Sequence, residues 1–199
     1  MSSTVQYQCR AVAETRVAEL QKHMASILTT LGYNTDSETL CDTPKRWAEM
    51  MVTELSVGEV FTFTKFANEN PRVDQMVVVA NIPFYSLCAH HVIPFFGIAH
   101  VAYLPTRWLA GLSKLARTVD YYARTLSSQE VITQRVLERV VAELEPMGAG
   151  VVLVARHLCM EMRGVEKPGA VTTTSALAGV FLASESARAE FFRHTENRV

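Results

Sequence analysis

Hydrophobic positions along this chain change their period several times, and each change marks an element. Val12, Val17, Leu20, Met24, Ile27, Leu28 and Leu31 recur at roughly helical spacing, with Gly32 behind them as a stop, which predicts a helix over 8–31. Thr43-Pro44 reads as an N-cap with Pro at the first helical position. It opens a second helix that turns Trp47, Met50, Met51 and Leu55 inward. Residues 76–87 are rich in Val, Ile, Phe and Tyr and predict a strand, with Pro83 marking an edge or a bend. A second strand covers 95–104 and is closed by Pro105. Helices are expected over 111–126 and 127–144, the latter ended by Pro146 and Gly148. Strands over 150–162 and 171–182 flank a Gly-bounded loop at 164–169. A short helix over 184–194, capped by Ser184, ends the pattern.

The core order is therefore strand-strand-helix-helix-strand-strand, an α+β class. The two middle helices are long and amphipathic enough to cover one face of an antiparallel sheet. The stretch 68–72, Asn-Glu-Asn-Pro-Arg, reads as a loop, so the expected division is an N-terminal helical arm over 1–70 and a sheet domain over 71–199.

Composition narrows the function. The chain has 199 residues, 49% of them hydrophobic, and a formal net charge of -1, which gives no reason to expect a nucleic-acid or anionic-membrane surface. The longest apolar run, residues 151–155, is far too short to span a bilayer. The N-terminus is polar and lacks the apolar stretch of a secretory signal, so a reducing cytoplasm is expected. There the four scattered cysteines, Cys9, Cys41, Cys88 and Cys159, suit metal or catalytic use better than a disulfide frame.

Candidate chemistry starts at Cys88-Ala89-His90-His91. Cys88 and His91 are spaced so that one sulfur and one imidazole can reach the same ion, and His157 and Cys159 lie far downstream. Two residues apart on a strand, those two side chains share a face, as would Glu161 and Arg163. The set offers thiolate and imidazole ligands of the kind zinc takes. The plainer alternative is that Cys88 and Cys159 are small buried core residues. In Gly111-Leu112-Ser113-Lys114-Leu115-Ala116-Arg117, Ser113 reads as an N-cap, and Lys114 and Arg117 then lie on one side near the first turn. Cations there oppose the helix dipole, which suits a docked anion such as phosphate; the alternative is a solvated basic face. Ser127-Ser128-Gln129-Glu130 fits a capping box from Ser127 to Glu130. Its other reading is an amide and a carboxylate aimed at a planar heterocycle, where a carboxylate accepts two N–H bonds. Arg163 and Lys167 are candidate phosphate contacts, and Thr172-Thr173-Thr174 reads as β-propensity.

In order and approximate spacing, Cys88-Ala89-His90-His91, residues 111–117, Gln129-Glu130 and the run from His157 to Val165 resemble the successive motifs of GTP cyclohydrolase I. The resemblance covers most of the chain, from about Asp42 to Phe192. It implies a tunnelling fold with N-terminal helices and a decamer of two pentameric rings with active sites at subunit junctions. It implies zinc on Cys88, His91 and Cys159, with one position left for water that attacks C8 of guanine. His157 would act as general acid/base with His90 assisting, and Ser113 would assist at the ribose. Gln129 and Glu130 would hold guanine. Lys114, Arg117 and Arg163 would hold the triphosphate, with Arg46 reaching it from another subunit. The implied product is 7,8-dihydroneopterin triphosphate, the first intermediate of pterin and tetrahydrofolate synthesis, with formate released.

Two positions depart from the family pattern. Ala89 stands where the family usually has Glu, which removes a carboxylate beside the metal pair, and Glu49 stands where some members carry a basic residue. Two other readings stay open at this level. One is a divergent purine-ring enzyme that makes a deazapurine precursor or stops at a ring-opened formylamino product. The other is a non-catalytic nucleotide-binding relative.

Overall fold

The computed structural model describes residues 3–55, 61–70 and 74–196, with side chains from 13 onward. The side chain of Val12 and positions 71–72 of the expected loop lie outside them. By its contacts the chain divides into two compact units, Met1–Ser56 and Val57–Val199.

The first unit is a helix pair, α1 (Ser3–Thr30) and α2 (Thr43–Glu54), packed on each other. Val17, Leu20, Met24 and Leu28 form the half-buried stripe of α1, while Ile27 and Leu31 are exposed. Gly32 takes a positive φ of 88° and ends the helix as expected. Asp42, not Thr43, is the N-cap of α2, which places Pro44 inside the first turn. Its buried residues are Pro44 and Ala48, and Met50, expected inward, is exposed.

The second unit begins earlier than the sequence pattern suggested. Strand β1 (Lys65–Ala67) pairs antiparallel with β4 (Trp108–Ala110), so these residues belong with the sheet domain rather than the arm. The main sheet is built on β2 (Val77–Cys88), β3 (Pro94–Leu104), β6 (Gly148–His157) and β7 (Val171–Gly179), all antiparallel neighbours. A two-residue strand, β5 (Leu126–Ser127), adds a parallel edge against Leu87 and Cys88. Pro83 lies within β2 where its only partner strand is β3, an edge position that needs no second ladder bond.

Helices α3 (Leu112–Ala123) and α4 (Gln129–Leu144) cover one face. Phe84, Phe95, Val101, Tyr103, Val151, Leu153 and Ala155 point to them with the two-residue period of the strands and form the main core. The opposite face is covered at one end by α6 (Val180–Ala183) and α7 (Glu185–Thr195), whose Phe181 and Phe191 rings stack on each other and cluster with Ala102 and Val152. Gly150 makes room for them, since a Cβ there would lie 2.7 Å from the Phe191 ring. Both helix starts of interest differ from the sequence reading. The N-cap of α3 is Gly111, so Ser113 and Lys114 lie within the first turn. The N-cap of α4 is Ser128, whose hydroxyl accepts from the Val131 N–H, while Ser127 is buried in β5. The capping box from Ser127 to Glu130 is thus not formed. Ser184 caps α7 as expected, accepting from the Ala187 N–H.

The last correction bears directly on the site. The strand expected over 150–162 ends at His157, and Leu158–Glu161 forms a helical turn, α5. The shared strand face of His157, Cys159, Glu161 and Arg163 therefore does not exist.

Candidate functional site

Three segments converge at one end of the sheet. The first is the turn after β2. The Cys88 carbonyl accepts from the N–H groups of both His91 (3.3 Å) and Val92 (2.8 Å), which winds the turn helically and brings residues three apart to one side. Val92 absorbs the reversal at φ 55°, and the Cys88 N–H closes the turn on the Ile93 carbonyl. The second segment is the N-terminus of α4. Pairing of Cys88 with Ser127, and the bond from the Ala89 N–H to the Ser127 carbonyl, set Gln129 and Glu130 beside the turn. The third is the junction of β6 with α5, fixed by the register Phe95↔His157.

The ligand atoms of Cys88, His91 and Cys159 lie within 4.8 Å of one another, and Cys88 Sγ is 3.9 Å from His91 Nδ1. A tetrahedral ion with bonds of about 2.0–2.3 Å needs separations of roughly 3.5–3.8 Å. The cluster therefore needs only a small contraction to hold one. Two thiols and an imidazole form a borderline-soft donor set, so the residues fit a metal. Cys159 owes its place to a bidentate clamp. Arg156, at the end of β6, donates to both Glu161 carboxylate oxygens at 2.8 and 2.6 Å. The pair ties α5 to the strand, and the guanidinium also lies over the Phe96 ring. This bond to Arg156 holds the Glu161 carboxyl below its usual range. Burial, then the neighbouring Cys88, raise the Cys159 thiol. A metal must therefore displace its proton.

His157 is the most constrained group. Its ring stacks on Phe95 at 4.5 Å and 4°, and its Nε2 lies 2.8 Å from Gln129 Oε1. Burial lowers its pKa, and the nearby Glu130 charge opposes that shift. The exposed Glu130 carboxyl is itself held low, chiefly by its own backbone N–H and then by the Ser128 hydroxyl, with weaker help from His157 and His90.

His90 is exposed, with Nδ1 3.6 Å from Cys88 Sγ. Arg163 reaches the cluster too, with its NH1 2.7 Å from His91 Nε2. An arginine can only donate, so this contact uses the Nε2 lone pair. A ligand bond from Nδ1 puts the ring proton on Nε2 instead, so that bond and the Arg163 contact exclude each other.

The remaining candidates lie on other elements. Ser113, Lys114 and Arg117 occupy the first turns of α3, with Ser113 and Arg117 exposed. Among the described residues, no hydrogen bond or ion pair joins them to the metal-ligating group. Arg46 belongs to the first unit, where it pairs with Asp42 at 2.9 Å. Lys167 lies in the exposed loop, its N–H bonded to the Met160 carbonyl. Sequence reasoning missed Phe95, Arg156, Glu161 as a clamp, and Thr174, which accepts from Gln129 at 3.1 Å. The first three carried no local signal, because each acts through a partner brought in by strand register or by the helical turn.

The sequence model of the family described as GTP cyclohydrolase I matches residues 20–196. The chain belongs to that family. A GTP cyclohydrolase 1 of Bacteroides fragilis is 43% identical over 185 residues, covering 90% of this chain and 93% of the relative. One from Hydrogenobaculum is 45% identical over 163 residues, covering 82% and 88%, and one from Dictyostelium discoideum is 43% identical over 178, covering 87% and 75%. Among solved structures, the apo archaeosine synthase QueF-Like covers 52% of this chain and 93% of its own, at TM-score 0.44 and 18% identity. The fold assignment rests on the family. Membership makes this a hydrolase of GTP with the tunnelling fold. The cluster of Cys88, His91 and Cys159 fits a metal. Among the described residues, no helix is long and apolar enough to cross a membrane.

Proposed function

We propose that the chain carries the whole reaction on a zinc site of Cys88, His91 and Cys159, opening GTP at C8, releasing formate and yielding 7,8-dihydroneopterin triphosphate for pterin and tetrahydrofolate synthesis. The observation that carries this reading is the meeting of that three-residue cluster with the His157 and Glu130 segments at one end of the sheet. Three protein ligands leave a fourth position open, as a catalytic site requires. Zinc held there supplies Lewis acidity and draws the pKa of water toward about 7.

The chain's own groups do the rest. His157, half-buried and with its pKa lowered by desolvation, exchanges a proton with the imidazole-ring nitrogen of guanine as the ring opens, and His90 assists from the solvent side. Glu130 is ionised and exposed, suited to accept from N1–H and the 2-amino group of guanine. Gln129, expected beside Glu130 at that edge, has its buried side chain bonded within the protein instead. Lys114 and Arg117 at the start of α3, Arg163 once free of His91, and Arg46 from another subunit hold the triphosphate. Ser113 assists at the ribose. By family membership the protein is proposed to act as a homodecamer in the cytoplasm, with its site completed between copies.

Incubating the zinc-loaded protein with GTP, then measuring formate and the fluorescence of the oxidised pterin, tests this directly. Both signals are expected. Formate without fluorescence supports a divergent ring-opening enzyme, and tight GTP binding with neither signal supports a non-catalytic relative.

A further inference from the structure

Gln129 is the least exposed polar side chain near the site, at 1% relative exposure, and all its hydrogen bonds stay inside the protein. Its amide nitrogen donates to the Leu153 carbonyl (3.0 Å), the Thr172 carbonyl (3.0 Å) and Thr174 Oγ1 (3.1 Å). Two of these partners are backbone carbonyls, which can only accept. That fixes which end of the amide is nitrogen. Oε1 must then face His157 Nε2 at 2.8 Å, and an amide oxygen can only accept. The His157 proton therefore sits on Nε2, and the lone pair sits on Nδ1.

The geometry points to Gln129 as a positioning residue that locks His157 in the Nε2–H tautomer, so that Nδ1 is the atom that exchanges protons with substrate. This rests on the reading of His157 as the acid/base group. Three features make the lock stiff. Thr133 Oγ1 lies 2.7 Å from Thr174 Oγ1, anchoring that acceptor to α4. The Phe95 ring, parallel at 4°, fixes the imidazole plane. The Leu153 and Thr172 carbonyls belong to β6 and β7. A carboxylate in the place of Gln129 could accept from Nε2–H but could not donate to the Leu153 and Thr172 carbonyls, whereas the amide does both. The arrangement also explains why Gln129 precedes Glu130: the first aims the proton-transfer group, and the second meets the heterocycle.

The test compares Gln129→Met, Gln129→Glu and the wild-type zinc-loaded enzyme. Gln129→Met removes the acceptor at similar length. Its kcat is expected to fall at least about 10-fold, toward the 10²–10⁴ that a placed acid–base group contributes, with the KM for GTP unchanged. Gln129→Glu sets a carboxylate oxygen against the Leu153 and Thr172 carbonyls and is expected to lose at least as much. An unchanged kcat in Gln129→Met, or a loss confined to KM, would overturn the assignment. Should the variants not fold, the wild type decides through the nitrogen resonances of ¹⁵N-histidine-labelled enzyme. The signal that vanishes in His157→Asn is expected to carry its proton on Nε2, and a proton on Nδ1 overturns the lock. If His157→Asn keeps full kcat while the tautomer is as stated, the acid/base reading of His157 has failed and the hydrogen-bond assignment has not.

Discussion

The two segments that supply the metal-fitting atoms reach the same point by different routes. Cys88 and His91 come from one tight turn whose own backbone bonds to the Cys88 carbonyl hold the pair together. Cys159 comes from a single helical turn, and a side-chain pair, Arg156 with Glu161, fastens it to the strand before it. The turn is held by main chain alone, whereas α5, wound by the bond from the Met162 N–H to the Leu158 carbonyl, is also tied down by a bidentate ion pair whose acid is almost fully covered. Backbone-built geometry tolerates side-chain change, while geometry built by one ion pair fails when either partner goes. The two halves of the site should therefore respond differently to mutation.

The largest effects fall on the ligands themselves and should be equal on both sides. Cys88→Ser and Cys159→Ser are each expected to lower zinc affinity more than about 100-fold, beyond what supporting partners contribute, and to abolish formate release. Retention of stoichiometric zinc by either variant after dialysis would show that the ion sits elsewhere.

The next change separates the halves. Glu161→Gln leaves every ligand in place but loosens α5. Zinc affinity should fall about 10-fold, within the range for groups that orient ligands, as read by competition with a chelator. Ala89→Glu, on the turn side, should leave the turn and its zinc affinity intact, with formate release equal to or above wild type. An inactive but well-folded Ala89→Glu protein would mean that the pocket has been rebuilt around the missing carboxylate.

This contrast also marks what the residues revealed and what they concealed. The Cys-x-x-His spacing is a local signal, so the first half of the site was legible at once. The strand order and the helix pair over one face were legible for the same reason, because periodicity reports burial within one element. The second half was not. Val151–Ala155 is apolar on both faces, and nothing in His157-Leu158-Cys159-Met160 announces that the strand stops and a helical turn begins. Parity was therefore carried six residues too far, to Arg163. The cap position at Ser128 was missed because the adjacent Ser127 offers the same local chemistry, and β5 pairing with β2 decides which one is free to cap. Gln129 was read with Glu130 as a pair facing substrate, yet one is buried and the other exposed, as successive residues at a helix start can be.

The smallest effect concerns a histidine that the chemistry does not use. His100 is fully buried in β3, its Nδ1 accepts from the Asn81 N–H at 3.4 Å, and burial lowers its pKa. The unfolded chain binds a proton near the ordinary value of about 6.5, while the folded chain resists it. Stability should therefore be unaffected by this group above that value and decline as pH falls through it. His157, also lowered, adds a slope of the same sign. Denaturant unfolding of His100→Leu between pH 7.5 and 5.5 should show a shallower loss than wild type. An unchanged slope would mean that His100 keeps its ordinary affinity for protons.

The direct test of the central claim is X-ray absorption at the zinc edge of the metal-loaded protein. Two sulfurs at about 2.3 Å, one imidazole nitrogen and one further light atom from solvent at about 2.0–2.1 Å are predicted. A single sulfur, or a second imidazole filling the fourth position, would contradict a site built from Cys88, His91 and Cys159 with one vertex open.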